Sequence, residues 1–577
     1  MSETDSAVVD NLVTQFSSPL HCFRELVQNS IDAGSPTVDV WTEFIEGDGH
    51  TGTIALHVDD YGEGMDEHII DEELTRLFAS SKEQDLTKIG QFGIGFVSTF
   101  ALEPEAILVE TGRSGEYWEV LFHEDRSFTK TKLDVPVEGT QVTIFLSGDV
   151  HRYAELARGI RETLSHWCNH SDTEVTFEDR TPVDGSRSEL VTINDPFEIG
   201  GDCMVRAEHE GTEIVVAYSD TPVYGFYNRG LTLALTKTGA DVLGEARAER
   251  LGHVAFKIKS RYLEHTLSRE TVMRDANYEK AMKLLGEAHR GPLFDRLVAE
   301  LEAVGTTANW TLNEVDRYRR LCHYLAQEPA ARLSDIEERP IFRMADGGVA
   351  RLQQAFEAWK RDGRVLVADE PSELADELLE TGLPVFLGGF WTSGDLGDRK
   401  EPVRTLISRY IRHRHESALL SRFRGFLGAD IESETRRAVT SPEAVYMPVV
   451  VDEEIPGSLE PLVQRAAELL ESLEAGYATL STCTLGSPQS EPPLFVLARE
   501  AGSVMARPPS RAQFAAGGAA GRPHAAVNRE HPHFETLVEL WEHNPEMAAY
   551  CLAKSLLLTG DRHLEKDAEL QRAARGN

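Results

Sequence analysis

The chain has 577 residues, with 58 basic and 96 acidic side chains and a formal net charge of −38. Its apolar (41%) and charged (27%) fractions are those of a folded globular protein and exclude wholesale disorder. The acidic excess argues against a protein whose main partner is nucleic acid or an anionic membrane, since both require clustered Lys and Arg. At roughly 150 residues per domain, the length predicts about three to five domains.

The six cysteines are scattered along the chain without a C-x-x-C pair. This pattern predicts neither a disulfide framework nor a zinc site and is typical of a reducing cytosol. No run of about 18 apolar residues occurs, and the first residues lack a basic region followed by an apolar one, so we expect neither a membrane span nor a signal peptide. We therefore predict a soluble, cytoplasmic, multidomain protein.

Hydrophobic periodicity predicts mixed helix and strand in the first half of the chain. Apolar residues at helical spacing predict a helix over residues 20–33, and alternating apolar residues predict strands at Thr53–Val58 and Gln141–Leu146. The loop-like stretch 181–202 predicts a domain boundary. Further strands are expected at 213–219, 222–236 and 253–259, followed by a long helical stretch from about 278 to 304.

The second half of the chain continues in the same mixed fashion. Residues 330–400 alternate short strands with amphipathic helices, which is a βαβ-like rhythm. The Ala/Gly/Pro-rich stretch 507–526 predicts a flexible loop. Residues 534–558 predict helix with more apolar side chains than one lone helix can bury. This segment either packs against a partner chain or forms a helix pair that caps its own domain.

Three polar residues of the first predicted helix form a candidate metal and water site. Glu25, Asn29 and Asp32 are spaced i, i+4 and i+7 and therefore share one helix face. A carboxylate and an amide at this spacing can hold a water and a Mg²⁺ ion, which prefers oxygen ligands and keeps most of its waters. The alternative is that the three residues form the solvated face of an ordinary helix.

The segment Asp60–Met65 (DYGEGM) directly follows a predicted strand. Its glycines allow a sharp turn and a close approach of the backbone to a ligand. The Asp60 carboxylate can accept a hydrogen bond from an exocyclic amine. A plain strand-ending turn is the alternative interpretation.

A second glycine-rich segment, Gly90–Phe96 (GQFGIGF), opens a predicted helix. Backbone N–H groups at such a position can bind phosphate. The spacing fits neither the dinucleotide-binding fingerprint nor the P-loop. Gly139 and Thr140 then begin a strand, where the hydroxyl could reach a base or be an ordinary strand threonine.

These four segments occur in one domain-sized stretch, in an order that resembles the GHKL ATPase superfamily of gyrase, heat-shock chaperones, histidine kinases and MutL. The phrases FRELVQNSIDA and IGQFGIGFVSTF are similar to motifs of the 90-kDa heat-shock chaperone family. The resemblance implies an α/β multidomain protein whose N-terminal Bergerat domain is an α/β sandwich that binds ATP and Mg²⁺. It further implies an ATP-hydrolysing chaperone that acts as a homodimer on unfolded client proteins.

The resemblance also implies roles for individual residues. Glu25 orients or deprotonates the attacking water, Asn29 coordinates Mg²⁺, and Asp60 binds the adenine amine. The segment 263–270 (LEHTLSRE) is similar to a middle-domain segment whose arginine reaches the ATP site, which assigns that catalytic role to Arg269. The residues expected to bind ATP are Asn29, Asp32, Ala33, Asp60, Gly62, Gly64, Met65, Lys82, Gly90, Gln91, Phe92, Gly93, Ile94, Gly95, Phe96 and Thr140.

Three domains follow from the resemblance: an ATP-binding domain at 1–185, an α/β middle domain at 186–415 and a mixed α/β C-terminal dimerisation domain at 416–577. Two departures stand out. Only 24 residues separate Met65 from Gly90, which is short for the family's lid, and Met273 occupies a position where the family usually has a phosphate-binding Gln. We therefore expect a slow or differently gated ATPase. The alternatives are a MutL- or gyrase-like clamp on DNA, which the net charge disfavours, and a non-hydrolysing nucleotide-sensing scaffold.

Overall fold

The structure is a computed structural model. It describes residues 18–47, 51–76, 95–183, 187–266, 271–307, 310–380, 382–388, 402–419, 435, 437–452, 454–473, 477–485, 492–498, 505–506, 524–558 and 563–575. Contacts divide the chain into two compact units, Met1–Arg296 and Leu297–Asn577, which are described separately. The three-domain division remains a prediction. Among the described helices, none is both long and apolar enough to span a bilayer.

A mixed sheet of eight strands dominates the first unit. Its strands are β1 (Thr37–Glu46), β2 (Gly52–Asp60), β3 (Ala106–Arg113), β4 (Glu116–His123), β5 (Phe128–Lys132), β6 (Thr140–Gly148), β7 (Glu174–Asp179) and β8 (Leu190–Thr192). Their order is β5-β4-β3-β6-β2-β1-β7-β8; β1 and β7 pair in parallel, and the other neighbours are antiparallel. The strands predicted at 53–58 and 141–146 are confirmed as the cores of β2 and β6.

Helices cover one face of this sheet. They are α1 (Cys22–Asp32), α2 (Glu67–Ile69, continued by a π-helical turn at Ile70–Leu74) and α3 (Val150–Trp167). The side chains that alternate toward them, such as Val40, Leu56 and Ile144, are fully or almost fully buried in one hydrophobic core with Val27 and Ile160. The helix predicted over 20–33 is confirmed, and so is the predicted α/β class.

A second sheet completes the first unit. Its strands are β9 (Asp202–His209), β10 (Thr212–Tyr218), β11 (Tyr224–Asn228), β12 (Leu231–Thr236) and β13 (Val254–Ser260), in the order β12-β11-β13-β10-β9. Its helices are α4 (Gly239–Leu243), α5 (Glu245–Arg250) and α6 (Ala276–Ala288). The run 222–236 is a hairpin and not one strand, because Gly230 adopts a φ of +87° that permits the tight turn. The predicted loop 181–202 also contains the short strand β8.

The helical stretch predicted from about 278 to 304 is confirmed, but it is not one regular α-helix. After α6, residues His289–Leu293 form a π-helical segment that contains Pro292, and α7 (Phe294–Thr306) follows. Proline has no N–H to donate to the preceding turn, so the regular helix is interrupted there.

The second unit begins with alternating helices and short strands. They are α8 (Leu312–Gln327), β14 (Phe342–Arg343), β15 (Val349–Ala350), α9 (Leu352–Asp362), β16 (Val365–Ala368), α10 (Glu373–Glu380), β17 (Val385–Leu387), α11 (Pro402–Leu419) and β18 (Val439–Thr440). Strands β17, β16 and β18 form a parallel sheet in that order. The βαβ-like rhythm predicted for 330–400 is therefore confirmed.

A second five-stranded sheet lies in the C-terminal part. Its order is β21-β23-β20-β19-β22. The elements are β19 (Met447–Val451), α12 (Glu460–Ser472), β20 (Leu480–Leu485), β21 (Phe495–Ala498), β22 (Met505–Ala506), β23 (His524–Asn528), α13 (Pro532–His543), α14 (Pro545–Leu557) and α15 (His563–Ala574). The predicted loop 507–526 is wrong at its end, because 524–528 is strand, while 507–523 lies outside the described residues.

The helical segment predicted at 534–558 is two helices, because Asn544 caps α14 and Pro545 occupies its first turn. The pair buries Leu537, Leu552 and Leu556 in a core shared with α12. The apolar surplus of this segment is therefore accommodated at least in part within its own unit, as expected for a capping helix pair.

Candidate functional site

The helix α1 places a carboxylate where water reaches it poorly. The chain enters α1 through a short 3-10 turn that begins at Pro19. It leaves at Gly34, whose φ of +73° lets the Ser35 N–H bond back to the Ser30 carbonyl. Between these ends, Glu25 is only 7% exposed, so it is not part of a solvated face.

Glu25 and Asn29 border the start of the next helical turn. Residues 95–97 are helical, and a Cβ built at Gly95 would lie 3.2 Å from Glu25 Oε2 and 3.8 Å from Asn29 Nδ2. The end of the glycine-rich segment therefore lies directly against the two polar side chains of α1. A larger residue at position 95 would press on Glu25.

Asp32, the third polar residue of the motif, lies at the exposed end of α1. Its carboxylate accepts hydrogen bonds from Gln28 Nε2 (3.0 Å) and from Arg229 Nη1 (3.2 Å) in the β11–β12 turn. The carboxylate is thus engaged by two protein groups, and its contact with a nucleotide remains a prediction.

Asp60 ends β2 on the face of the sheet that carries the helices. Its Oδ1 accepts the backbone N–H groups of Gly62 (2.9 Å) and Thr140 (3.2 Å), and its Oδ2 accepts the Ser30 hydroxyl (3.1 Å). Burial raises the pKa of Asp60 above its usual range, while these hydrogen bonds act in the opposite direction. The result is a largely buried carboxylate held in one orientation by three different segments of the chain.

The loop after Asp60 is docked against the end of α1. A Cβ at Gly62 would lie 2.7 Å from the Ala33 carbonyl oxygen, and the Glu63 N–H donates to the same oxygen (3.0 Å). Gly64 has a φ of +64°, and a Cβ there would lie 2.1 Å from the Gly112 carbonyl oxygen. Glycine is therefore required at both positions by the close approach of neighbouring backbone.

Two residues that the motifs did not single out complete this region. Ser30 connects α1 to Asp60. Thr111 in β3 accepts the Met65 N–H (2.8 Å) and lies 3.0 Å from the Thr140 hydroxyl. Strand register was the missing information for Thr111, because Thr111 and Thr140 are neighbours only through the β3–β6 pairing.

The remaining predicted residues divide into two groups. Phe96 is described, and its ring belongs to the hydrophobic core beside Phe100 and Phe122. The others lie outside the described residues, and their roles remain predictions: Lys82, Gly90, Gln91, Phe92, Gly93, Ile94 and Arg269.

The donor chemistry of the described site fits a magnesium nucleotide. Glu25 and Asn29 supply one carboxylate and one amide beside Gly95, which suits Mg²⁺ because that ion takes few protein ligands and keeps its waters. Asp60 supplies an acceptor for an amine. The loop residues Gly62 and Gly64 place backbone next to the end of α1 and next to the backbone of Gly112 and Gly139.

Comparison with known proteins agrees with this geometry. Residues 18–145 match a family model described as "Histidine kinase-, DNA gyrase B-, and HSP90-like ATPase". This part of the chain is therefore similar to GHKL ATPase domains.

Several curated proteins to which the chain is similar share one name, chaperone protein HtpG. The chain is 28% identical over 180 residues to the chaperone protein HtpG of Coxiella burnetii (strain RSA 331), an alignment that covers 26% of this chain and 27% of the relative. It is 29% identical over 202 residues to HtpG of Rhodospirillum rubrum, covering 30% and 32% respectively. HtpG of Desulfotalea psychrophila is 36% identical over 81 residues, covering 13% and 12%. Over these stretches the chain is similar to HtpG and to Hsp90-like GHKL ATPases, and it spans less than a third of each of these relatives.

Proposed function

We propose that this protein is a Mg²⁺-dependent ATPase that acts as a chaperone. The observation that supports it best is the placement of Asp60, held by Ser30, Gly62 and Thr140, in the same small domain as the Glu25–Gly95 contact. One end of this arrangement suits an amine-bearing base, and the other suits a phosphate with its metal ion.

In this proposal, binding uses the strand ends. The Asp60 carboxylate accepts a hydrogen bond from the exocyclic amine of adenine, and the Thr140 hydroxyl contacts the base beside it. The backbone of Gly62, Gly64 and Met65 lies close to the base. Asp32 and Ala33 form the end of the helix that borders the loop. Lys82 and the backbone N–H groups of the segment Gly90–Phe96 are proposed to face the phosphates.

Hydrolysis is assigned to the other end of the site. Glu25 is proposed to orient or deprotonate the attacking water, a role that its burial beside Gly95 supports. Asn29 would hold Mg²⁺, which when bound supplies charge neutralisation at the phosphates. Arg269 is proposed to complete the site with a positive charge.

The chaperone part of the proposal comes from the relatives, each of which is named chaperone protein HtpG. Client binding, homodimer formation and a cytoplasmic location belong to the same proposal. So does the division into an ATP-binding, a middle and a C-terminal dimerisation domain.

A test of this proposal uses the full chain and a thermally unfolding client protein such as citrate synthase. We expect ATP turnover, and we expect aggregation of the client to decrease in a manner that depends on ATP. Light scattering and phosphate release would be measured together, with and without duplex DNA. Turnover stimulated only by DNA would contradict the chaperone proposal, and an absence of turnover in every condition would contradict the ATPase proposal.

A further inference from the structure

Thr111 lies in a cross-strand row that contains both base-contacting residues of the proposed site. The row crosses β3, β6 and β2, where Thr111 pairs with Thr140 and Thr140 pairs with Asp60. Residues directly opposite on neighbouring strands share a face and lie close enough to interact. Thr111 is fully buried at the inner end of this row.

The hydroxyl of Thr111 has three polar atoms within hydrogen-bond distance, two of which could accept its single proton. It accepts the Met65 N–H at 2.8 Å and lies 3.1 Å from the Gly139 carbonyl oxygen and 3.0 Å from Thr140 Oγ1. A hydroxyl has a single proton, so Thr111 donates either to the carbonyl or to Thr140. The choice decides what Thr140 can offer to a ligand.

The carbonyl of Gly139 already has a donor. The Gly112 N–H bonds to it at 3.1 Å, so its need for a hydrogen bond is met without Thr111. We therefore infer that the Thr111 hydroxyl donates to Thr140 Oγ1. The Thr140 hydroxyl can then donate its own proton to the ligand. With the opposite orientation, the Thr140 hydroxyl would donate to Thr111 and could only accept a hydrogen bond from the ligand.

The two orientations match different purines. Adenine presents an amine donor at its 6-position beside the acceptor N1, whereas guanine presents an acceptor at the 6-position beside an N–H donor. The Asp60 carboxylate accepts, and a Thr140 hydroxyl with a free proton donates, directly or through a water. This pair of groups complements adenine and opposes guanine.

We propose that Thr111 is a positioning residue that sets the hydrogen-bond direction of Thr140 and thereby makes the site select adenine over guanine nucleotides. The inference rests on the proposed ATP site and goes beyond it by assigning base selectivity to a residue that does not touch the base. Thr111 also holds Met65 in place through its N–H, so the loop and the hydroxyl pair are fixed by one side chain.

The test compares two substitutions in the full chain. T111V keeps the shape of the side chain and removes its hydroxyl, whereas T111S keeps the hydroxyl. We expect the ratio of ATP to GTP affinity, measured by calorimetry, to fall about ten-fold in T111V, as for loss of one buried hydrogen bond. T111S should restore the ratio to that of the wild type.

Two further variants separate this role from a general loss of structure. T143V removes a hydroxyl from the opposite face of β6, where Thr143 bonds to His57 Nδ1 at 3.0 Å, and should leave the ratio unchanged. In a T140V background, T111V should have no further effect on the ratio, because Thr111 acts through Thr140. Should T111V fail to fold, T111A replaces it, since alanine also lacks the hydroxyl.

The outcomes are distinguishable. A wild-type protein that binds no ATP would overturn the proposed function and this inference with it. A wild-type protein that binds ATP, together with a folded T111V or T111A that keeps the ATP-to-GTP ratio, would overturn the role of Thr111 and leave the ATP site intact.

Discussion

Gly95 lies against Glu25 so closely that a single methyl group at position 95 would come within 3.2 Å of the Glu25 carboxylate oxygen. This relationship joins the first helix of the domain to the end of the glycine-rich segment, 70 residues later in the chain. The close approach is possible because residue 95 has no side chain.

A G95A substitution is therefore expected to displace Glu25 by a few tenths of an ångström. Turnover should fall about ten-fold, because a small misplacement of a catalytic group has a large effect on rate. ATP affinity should change little, since Asp60 and its hydrogen bonds lie on the strands. Steady-state phosphate release and ATP titration measure the two effects.

Gly200 offers a matched control for that substitution. A Cβ at Gly200 would meet nothing within 4 Å, so G200A should leave turnover unchanged. Equal turnover of G95A and the wild type would show that Glu25 has no fixed position relative to residue 95.

A D60N substitution is expected to separate folding from binding. Asparagine fits the hydrogen-bond network, because its Oδ1 accepts from Gly62 and Thr140 and its Nδ2 can donate to the Ser30 hydroxyl. Ser30 then donates to the Leu26 carbonyl oxygen at 3.0 Å. ATP affinity should fall about ten- to hundred-fold, the size expected for losing a hydrogen bond to a charged acceptor.

The same substitution has a predictable pH dependence. The pKa of Asp60 is raised by burial, so the folded protein binds this proton more tightly than the unfolded chain does. Wild-type stability should therefore decrease as the pH rises from the usual carboxyl range through the raised pKa. D60N should lack this loss, so its advantage in free energy of unfolding should be largest at neutral pH and vanish in acid.

Asp59 provides the control for the binding measurement, because successive strand residues point to opposite faces. Its carboxylate accepts from Trp41 Nε1 at 2.8 Å, and burial also raises its pKa. D59N should keep wild-type ATP affinity. A D60N protein that binds ATP as tightly as D59N would contradict the assignment of the base to Asp60.

An N29A substitution is expected to change the magnesium requirement. Removing the Asn29 amide should raise the Mg²⁺ concentration for half-maximal turnover by about ten-fold, as for loss of one contribution to a metal site. Chelation of Mg²⁺ should stop turnover in both proteins. A magnesium titration of phosphate release gives the result.

Gln28 is the neighbouring control, since its side chain bonds to Asp32 and not to the Glu25–Gly95 contact. Q28A should keep the wild-type magnesium dependence. An identical Mg²⁺ titration curve for N29A and Q28A would contradict the assignment of Asn29 as a Mg²⁺ ligand.

The local parts of the site could be predicted from the sequence, whereas the parts that depend on strand register could not. Helical spacing predicted α1 with Glu25 and Asn29 on it, and the glycines around Asp60 marked a turn at a strand end. Thr111 carries no motif and becomes a neighbour of Thr140 only when β3 pairs with β6. Pro292 and Pro545 are visible in the sequence, but hydrophobic periodicity alone does not place the π-helical segment at the first or the helix boundary at the second.

The burial of Glu25 could not be predicted from the sequence pattern either. Two acids and an asparagine on a helix are usually solvated, and only the packing of Gly95 against α1 shows that Glu25 is enclosed. The acidic excess of 58 basic against 96 acidic residues gave no indication of this local environment.

The most direct test of the central claim is ATP binding and turnover measured on the same samples of wild type and E25A. General-base catalysis contributes about a hundred- to ten-thousand-fold, so E25A should bind ATP with nearly wild-type affinity and hydrolyse it at least about a hundred-fold more slowly. Turnover by E25A at the wild-type rate would contradict the assignment of Glu25, and a wild-type protein that binds no ATP would contradict the site as a whole.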